Sequence, residues 1–249
     1  MKFLVIKHVI IEGLAVFEQF CHDAGIAIDT VELEKGDRFP DLDDYAALWV
    51  MGGPMNVGDE AKFPWLVDEK ALIRKAVLNQ HQQLPYMGIC LGAQLLADAL
   101  GGDVGPMAAP EVGLLPINLT EAGLKHPLTQ GLHNTFQVLQ WHGQAVKKLP
   151  PGSVLLASSD HCLIQAYAVG HYAFGLQFHS EVTEATVQDW VQLPAYRADL
   201  EQVLGSTGCE DLKTAVDQHL SIMKGEAKVV FDNFLKIVKE FDRAENFQS

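Results

Sequence analysis

The sequence predicts an α/β fold: a doubly wound, mostly parallel central sheet, with antiparallel strands added along one edge and helices closing the chain. Three observations predict it. Short continuous apolar runs recur through the first hundred residues, as strands buried on both faces require. Amphipathic segments of helical period separate them. Beyond Gly102 the texture changes to short strand-like runs divided by Gly, Pro, Asn and Asp, with little room for crossover helices.

Taken in order, Phe3–Ile6 is a buried strand, followed by a helix over Gly13–Ala24 with Leu14, Phe17 and Phe20 on one face. Ile26–Leu33 alternates as a second strand, and Asp41–Asp44 leads into a third apolar run, Tyr45–Met51, that ends in Gly52-Gly53-Pro54. A helix over Pro64–Gln80 turns Leu66, Ile73, Val77 and Leu78 inward. Pro85–Ile89 is the next strand, and Leu91, Gln94, Leu95 and Ala99 then recur at helical spacing up to Gly101-Gly102. Val112–Leu119, Thr135–Trp141, Val154–Ser158, Leu163–Val169 and Tyr172–His179 are expected as antiparallel strands at one edge. From Thr183 the chain is expected to be helical to its end. There Val229, Val230, Phe234, Ile237, Val238 and Phe241 form a stripe that packs on the body; docking of a partner helix is the alternative.

The 249 residues are 48% hydrophobic and 20% charged, enough for a large core. With no linker, repeat or low-complexity segment, one domain over residues 1–249 is expected, with a core of about 1–190 and a helical extension over 191–249. A formal charge of -14 argues against nucleic acid or an anionic membrane as partner. The four cysteines form no C-x-x-C pair, which points to reduced thiols in the cytoplasm. The opening MKFLVIKHVIIEG is broken by Lys7 and His8 and lacks a small-residue cleavage site, so it reads as a core strand rather than a signal peptide. No apolar run reaches the ~18 residues of a membrane span.

Gly88-Ile89-Cys90-Leu91-Gly92 is the most informative stretch. It has the spacing of a nucleophile elbow, with cysteine at the centre. A strand turning straight into a helix strains the central residue and exposes its side chain, while the positions two before and two after must lack bulk. A helix N-terminus also favours thiolate over thiol. Such a nucleophile needs a base, and the base an orienting group. His179-Ser180-Glu181 offers both on one face of an extended chain. Acyl transfer from an amide further needs donors for the developing oxyanion. The Leu91 N–H is one candidate, and a glycine after a neighbouring strand, as in Gly52-Gly53-Pro54, is another.

Together with Trp141-His142-Gly143 and Gln177-Phe178-His179-Ser180-Glu181-Val182, these segments resemble the class I, triad-type glutamine amidotransferases, most of all stand-alone proteins similar to the glutaminase domain of GMP synthase. His8-Val9-Ile10-Ile11-Glu12-Gly13 adds a weaker match, and the likeness extends to about Trp190. The resemblance implies a flavodoxin-like fold and a Cys90-His179-Glu181 triad acting on the γ-carboxamide of glutamine or on a γ-glutamyl compound. It implies an oxyanion hole from Gly53 and Leu91, and substrate contacts from Gly52, Gln94, Trp141, His142 and Gly143. Ser180 replaces the usual proline of the H-x-E turn, and Gln144 stands where an aspartate commonly follows W-H-G.

No Walker motif, G-x-G-x-x-G or synthase-type Ser-Gly-Gly loop is present, and the histidines and cysteines lack metal spacing. No cofactor or metal is therefore expected. An ammonia-accepting synthase would be a separate polypeptide, and the oligomeric state is left open. Two other readings stand beside a glutaminase: a free-standing γ-glutamyl peptidase, and a non-catalytic binding protein on the same scaffold.

Overall fold

A computed structural model of the chain describes residues 1–79 and 83–246. Among these described residues, nine strands form one sheet in the order β2-β1-β3-β4-β9-β8-β7-β5-β6. β1 (Lys2–Lys7) pairs in parallel with β2 (Ala27–Glu32) and β3 (Ala47–Val50). β4 (Tyr86–Ile89) continues the parallel order beside β3. The alternating sides of β1 and β3 are buried in different clusters: Phe3, Val5 and Trp49 on one, Leu4, Ile6, Leu48 and Val50 on the other. A strand covered on both sides has no polar face, which is why these segments are continuously apolar.

Helices supply the two covers. α1 (Val16–Asp23) contributes Phe17 and Cys21 to the first cluster; α2 (Trp65–Leu78) and α3 (Leu91–Ala99) contribute Leu66, Ile73, Leu95 and Leu96 to the second. α1 starts later than the apolar pattern suggests because Ala15, at φ +45, still belongs to a turn. Leu78 does not face inward as expected but is 62% exposed. At 100° per residue, Leu66, Ile73 and Val77 share one side of α2, and Leu78 lies about 120° away from Leu66. The expected helix end at Gln80 falls outside the described residues.

The second half departs from expectation at its most important strand. β9 (Ala173–Leu176) is not part of an antiparallel edge: it pairs in parallel with β4, Ile89 opposite Leu176, and antiparallel with β8 (Ala166–Val169). It is thus the fifth strand of the parallel set. β8 starts only at Ala166, with Leu163 75% exposed before it. The antiparallel part comprises β8, β7 (Ser153–Ser158), β5 (Asp103–Leu119) and β6 (Thr135–Lys148). β5 and β6 outrun the apolar patterns that predicted them, because their ladder continues past a register shift between Pro106 and Glu111.

The closing segment forms α4 (Thr186–Trp190), α5 (Pro194–Leu204) and α6 (Gly208–Asn246); residues 247–249 lie outside the described residues. α6 lays Val230, Phe231, Phe234, Ile237 and Val238 into the cluster that holds Phe3, Trp49 and Phe174, so the predicted stripe covers the sheet. Its first turns join α4 and α5 in a third cluster against Val112, Leu139 and Trp141 of β5 and β6. No helix among the described residues is long and apolar enough to cross a membrane.

The turn between β4 and α3 is packed to its limit. A Cβ at Gly88 would lie 2.5 Å from the backbone of Gly92, and one at Gly92 would lie 2.1 Å from the carbonyl oxygen of Val50 on β3. Only hydrogen fits at either position.

This packing sets the expected cost of two substitutions. Gly92→Ala forces backbone against backbone and is expected to cost about 2–3 kcal/mol in urea unfolding. Phe234→Ala, which removes a fully buried ring in edge contact with Phe3, Trp49 and Phe174, is expected to cost about 3–5 kcal/mol; a helix reserved for a partner would leave the unfolding midpoint unchanged.

Candidate active site

Cys90 stands at the bend with φ 50° and ψ -105°, a backbone conformation that side-chain-bearing residues rarely adopt. Its N–H donates to Leu176 O at 2.7 Å, and its carbonyl accepts from Gln94 N–H at 3.0 Å, tying the bend to β9 and to α3. As the first residue of α3, Leu91 has an N–H without an intrahelical acceptor.

Beyond Leu176 the chain stays beside this bend. Gln177 N–H donates to Gln165 O at 2.8 Å, and His179 N–H to Leu139 O at 2.9 Å. The His179 imidazole is buried, donates from Nδ1 to Glu181 Oε1 at 2.6 Å, and meets Trp190 edge-on at 4.5 Å between ring centroids. Burial alone would push its pKa down. The Glu181 carboxylate and the Cys90 sulfur outweigh it, and the pKa is raised well above the ordinary histidine value. The structure therefore brings Cys90, His179 and Glu181 together from distant parts of the sequence.

The Gly52-Gly53 loop is fixed from below. His8, fully buried and stacked on Trp65 at 5.6 Å, donates from Nδ1 to Gly52 O at 2.8 Å and pairs through Nε2 with Glu69 at 3.0 Å. Burial lowers the His8 pKa, but Glu69 and Gly52 raise it by more. A Cβ at Gly52 would strike Glu12 Oε2 and lie 3.1 Å from His179 Cε1; one at Gly53 would lie 2.8 Å from His8 Cβ and 3.1 Å from Leu91 Cδ2. The obstacle at Gly53 is the fixed Cβ of His8, so that position needs glycine for close approach, whereas at Gly52 the obstacle is the tip of the Glu12 side chain.

In front of Cys90 opens a cavity of about 220 Å³ lined by Gly53, Gln94, Trp141, Gly143 and Gln144, among others. Gln94 is 3% exposed rather than solvent-facing. Its Nε2 donates to Gln144 O at 3.0 Å and to Gln177 Oε1 at 3.1 Å, and Gln177 Nε2 lies 3.7 Å from Cys90 Sγ. Trp141 packs on Trp190 and Tyr196 and donates from Nε1 to Tyr196 O at 3.2 Å. Although His142 borders the cavity, both its ring nitrogens are engaged: Nδ1 with Gln144 O at 2.9 Å, and Nε2 with Gln140 Oε1 and Glu111 Oε2, each at 3.0 Å.

Glu111, His142 and Cys162 place a carboxylate oxygen, a ring nitrogen and a sulfur within 4.8 Å of one another, a convergence hidden by their wide spacing in sequence. These groups are separate from the triad and committed to nearer partners. Glu111 also accepts from Gln165 Nε2 at 3.0 Å, while the Cys162 thiol, pushed up to about 11 by burial, donates to Ile164 O. The cluster braces β6 behind the cavity.

Several site residues lie beyond what sequence reasoning singles out. Gln177 sits inside the motif around His179, yet nothing in the sequence shows that it reaches Cys90. Glu12 belongs only to the weaker first-strand match; it is buried against His179 and accepts from Tyr196 Oη, while its Oε2 has no hydrogen-bond partner. Burial raises the Glu12 pKa, against the pull of His179 and Tyr196. Ala195, Tyr196 and Asp199 of α5 form one cavity wall, for which helical periodicity alone offers no signal.

The family model described as Glutamine amidotransferase class-I matches residues 6–191. The chain is 31% identical over 196 residues to the glutamine amidotransferase-like protein YfeJ of Salmonella typhimurium, covering 77% of this chain and 80% of that one. It is 29% identical over 158 residues to one of the subunits of the glutamine-hydrolyzing GMP synthase of Sulfolobus acidocaldarius, covering 63% of this chain and 78% of that one. A crystal structure of a glutamine amidotransferase from Thermotoga maritima superposes with a TM-score of 0.83 at 28% identity, covering 96% of this chain and 98% of that one. One from Methylobacillus flagellatus gives 0.82 at 27% identity, with 95% and 94% covered. The chain belongs to the class I glutamine amidotransferase family.

Proposed function

We propose that the chain hydrolyses the γ-amide of glutamine or a closely related γ-glutamyl compound through a thioester on Cys90. The observation that carries this reading is Cys90 lining a cavity with His179 in interaction with its sulfur, the thiol on a strained bend and the imidazole locked by the buried Glu181 carboxylate. The sulfur attacks the γ-carbonyl, and the tetrahedral oxyanion is received by the N–H groups of Leu91 and Gly53, each worth roughly 3 kcal/mol. His179 gives its proton to the departing nitrogen, which leaves as ammonia. It then takes a proton from water as that water attacks the thioester; glutamate leaves and the Cys90 sulfur is restored. Glu181 holds the ring and stabilises its cation. Gly52, Gln94, Trp141, His142 and Gly143 shape the substrate side, with His142 acting through its backbone and its hold on Gln144.

The relative from Sulfolobus acidocaldarius is one subunit of a glutamine-hydrolyzing GMP synthase, which supports a separate synthase as consumer of the ammonia. The reading is tested by measuring ammonia release from glutamine, and amine release from γ-glutamyl dipeptides, with the purified chain. Turnover of glutamine that rises on adding a synthase is expected; robust cleavage of dipeptides with glutamine left intact would replace the amidotransferase by a peptidase. Cys90→Ser is expected to lower turnover about 10³-fold or more, and near-normal rates would end the covalent mechanism.

Glu181→Gln is expected to bring the His179 pKa down from its raised position, read by NMR titration of the ring, and to lower kcat about 10²-fold or more. Stability responds to pH with a definite sign. With its folded pKa above the unfolded value of about 6.5, His179 contributes stability that is fully present below that pH. The contribution fades as pH rises through the folded pKa, and Glu181→Gln should flatten this part of the stability–pH curve.

A further inference from the structure

The cavity in front of Cys90 is electrically one-sided. Among the described residues, its lining includes neither lysine nor arginine, and Asp199 is the one carboxylate. Gln144 brings no charge, and the ring nitrogens of His142 are engaged elsewhere. Asp199 is half-buried, and no hydrogen bond or ion pair joins its side chain to another described residue. Burial raises its pKa, and no neighbouring charge offsets that. Leaving a carboxylate partly desolvated and unpaired costs free energy, and a cation arriving in the cavity would recover it.

The position of Asp199 is built, not incidental. Tyr196 and Leu200 anchor α5 in the third cluster, and the Trp141 indole donates to the Tyr196 carbonyl. The same helix then presents Ala195 and, one turn later, Asp199 to the cavity. α5 lies beyond residue 191, where the family match ends.

We propose that Asp199 is a specificity-determining residue that pairs with an ammonium group of the substrate, so that the helical extension selects what the triad cleaves. This deepens the reading of Cys90 as the nucleophile towards a γ-glutamyl carbonyl and rests on it. Such a compound can carry the ammonium in two places: on the α-carbon of the glutamyl part, or on a charged leaving amine.

The test compares the full-length wild type with Asp199→Asn and Asp199→Lys on two pairs of amides. The first pair is glutamine and glutaramate, which lacks only the α-ammonium. The second is the γ-glutamyl amides of 1,3-diaminopropane and of n-butylamine, which differ by a terminal ammonium against a methyl. The expected result is a wild-type preference in kcat/KM for the charged member of one pair that falls about tenfold or more in Asp199→Asn and further in Asp199→Lys. Loss within the first pair assigns the α-ammonium; loss within the second assigns the leaving amine. Because each ratio is taken within one variant, impaired folding cancels from it. Ratios unchanged from wild type in both variants would overturn the role of Asp199 alone. Failure of the wild type to cleave any of the four would overturn the reading of Cys90, and this inference with it.

Discussion

The parallel pairing of β4 with β9 is the constraint on which the rest of the structure depends. These strands are far apart in sequence, yet Ile89 sits opposite Leu176 and the residue that follows β4 donates its N–H to the Leu176 carbonyl. Everything functional radiates from that register. One strand turns sharply and offers a thiol; the other runs on and offers an imidazole. A one-residue slip would invert the faces of either strand and separate the two side chains. The glycines at 88 and 92 serve this pairing, because they let α3 leave β4 close enough to pass under β3 without prising the strands apart.

The second physical theme is charge held out of water. Glu12, Glu181, His179, His8 and Glu69 are all nearly or fully buried. A buried charge is costly unless paired, and removing one partner costs more than the pair itself contributes. Pairing is close to complete here. His8 answers Glu69 beneath the glycine loop, and His179 answers Glu181 beside Cys90. Glu12 differs in being bound to a phenol rather than to a cation: one oxygen accepts from Tyr196, and the other, like Glu181 Oε2, has no hydrogen-bond partner and lies near His179 and the Gly52 backbone. Its carboxyl is pushed towards the neutral form by burial, while His179 pulls the other way. The imidazole thus lies between one carboxylate committed to it and a second group whose charge depends on its own.

The elbow is legible in the sequence because its requirement is local: strand, glycine, central residue, glycine and helix lie within a few positions, and their steric logic needs no distant partner. The H-x-E pair is legible for the same reason. The parallel placement of β9 is not, since β7, β8 and β9 all appear as short runs between turn residues, and nothing in such a run states which neighbour it will choose. Non-local pairing is settled by the whole sheet. Leu78 shows a smaller failure, in which an apolar residue at a helix end reads as inward although the helical angle carries it outward. His142 is subtler. Its motif marks it for the site, and it does border the cavity, but strand alternation aims its ring at Glu111 and Gln140 while Trp141 faces the helices.

The closing helices follow from the same sheet. A mixed sheet with β5 and β6 at its antiparallel end exposes apolar side chains such as Val112, Leu139 and Trp141, which must be covered. α4, α5 and the first part of α6 provide that cover, and the remainder of α6 continues along the side formed by Phe3, Trp49 and Phe174. Core packing and the cavity wall become linked through this arrangement. The Tyr196 side chain that helps to seal the third cluster also holds Glu12 beside His179, and its carbonyl receives the indole of Trp141 at the cavity wall. A helix recruited to bury apolar surface therefore also forms one wall of the cavity in front of Cys90 and supplies the carboxylate of Asp199 to it.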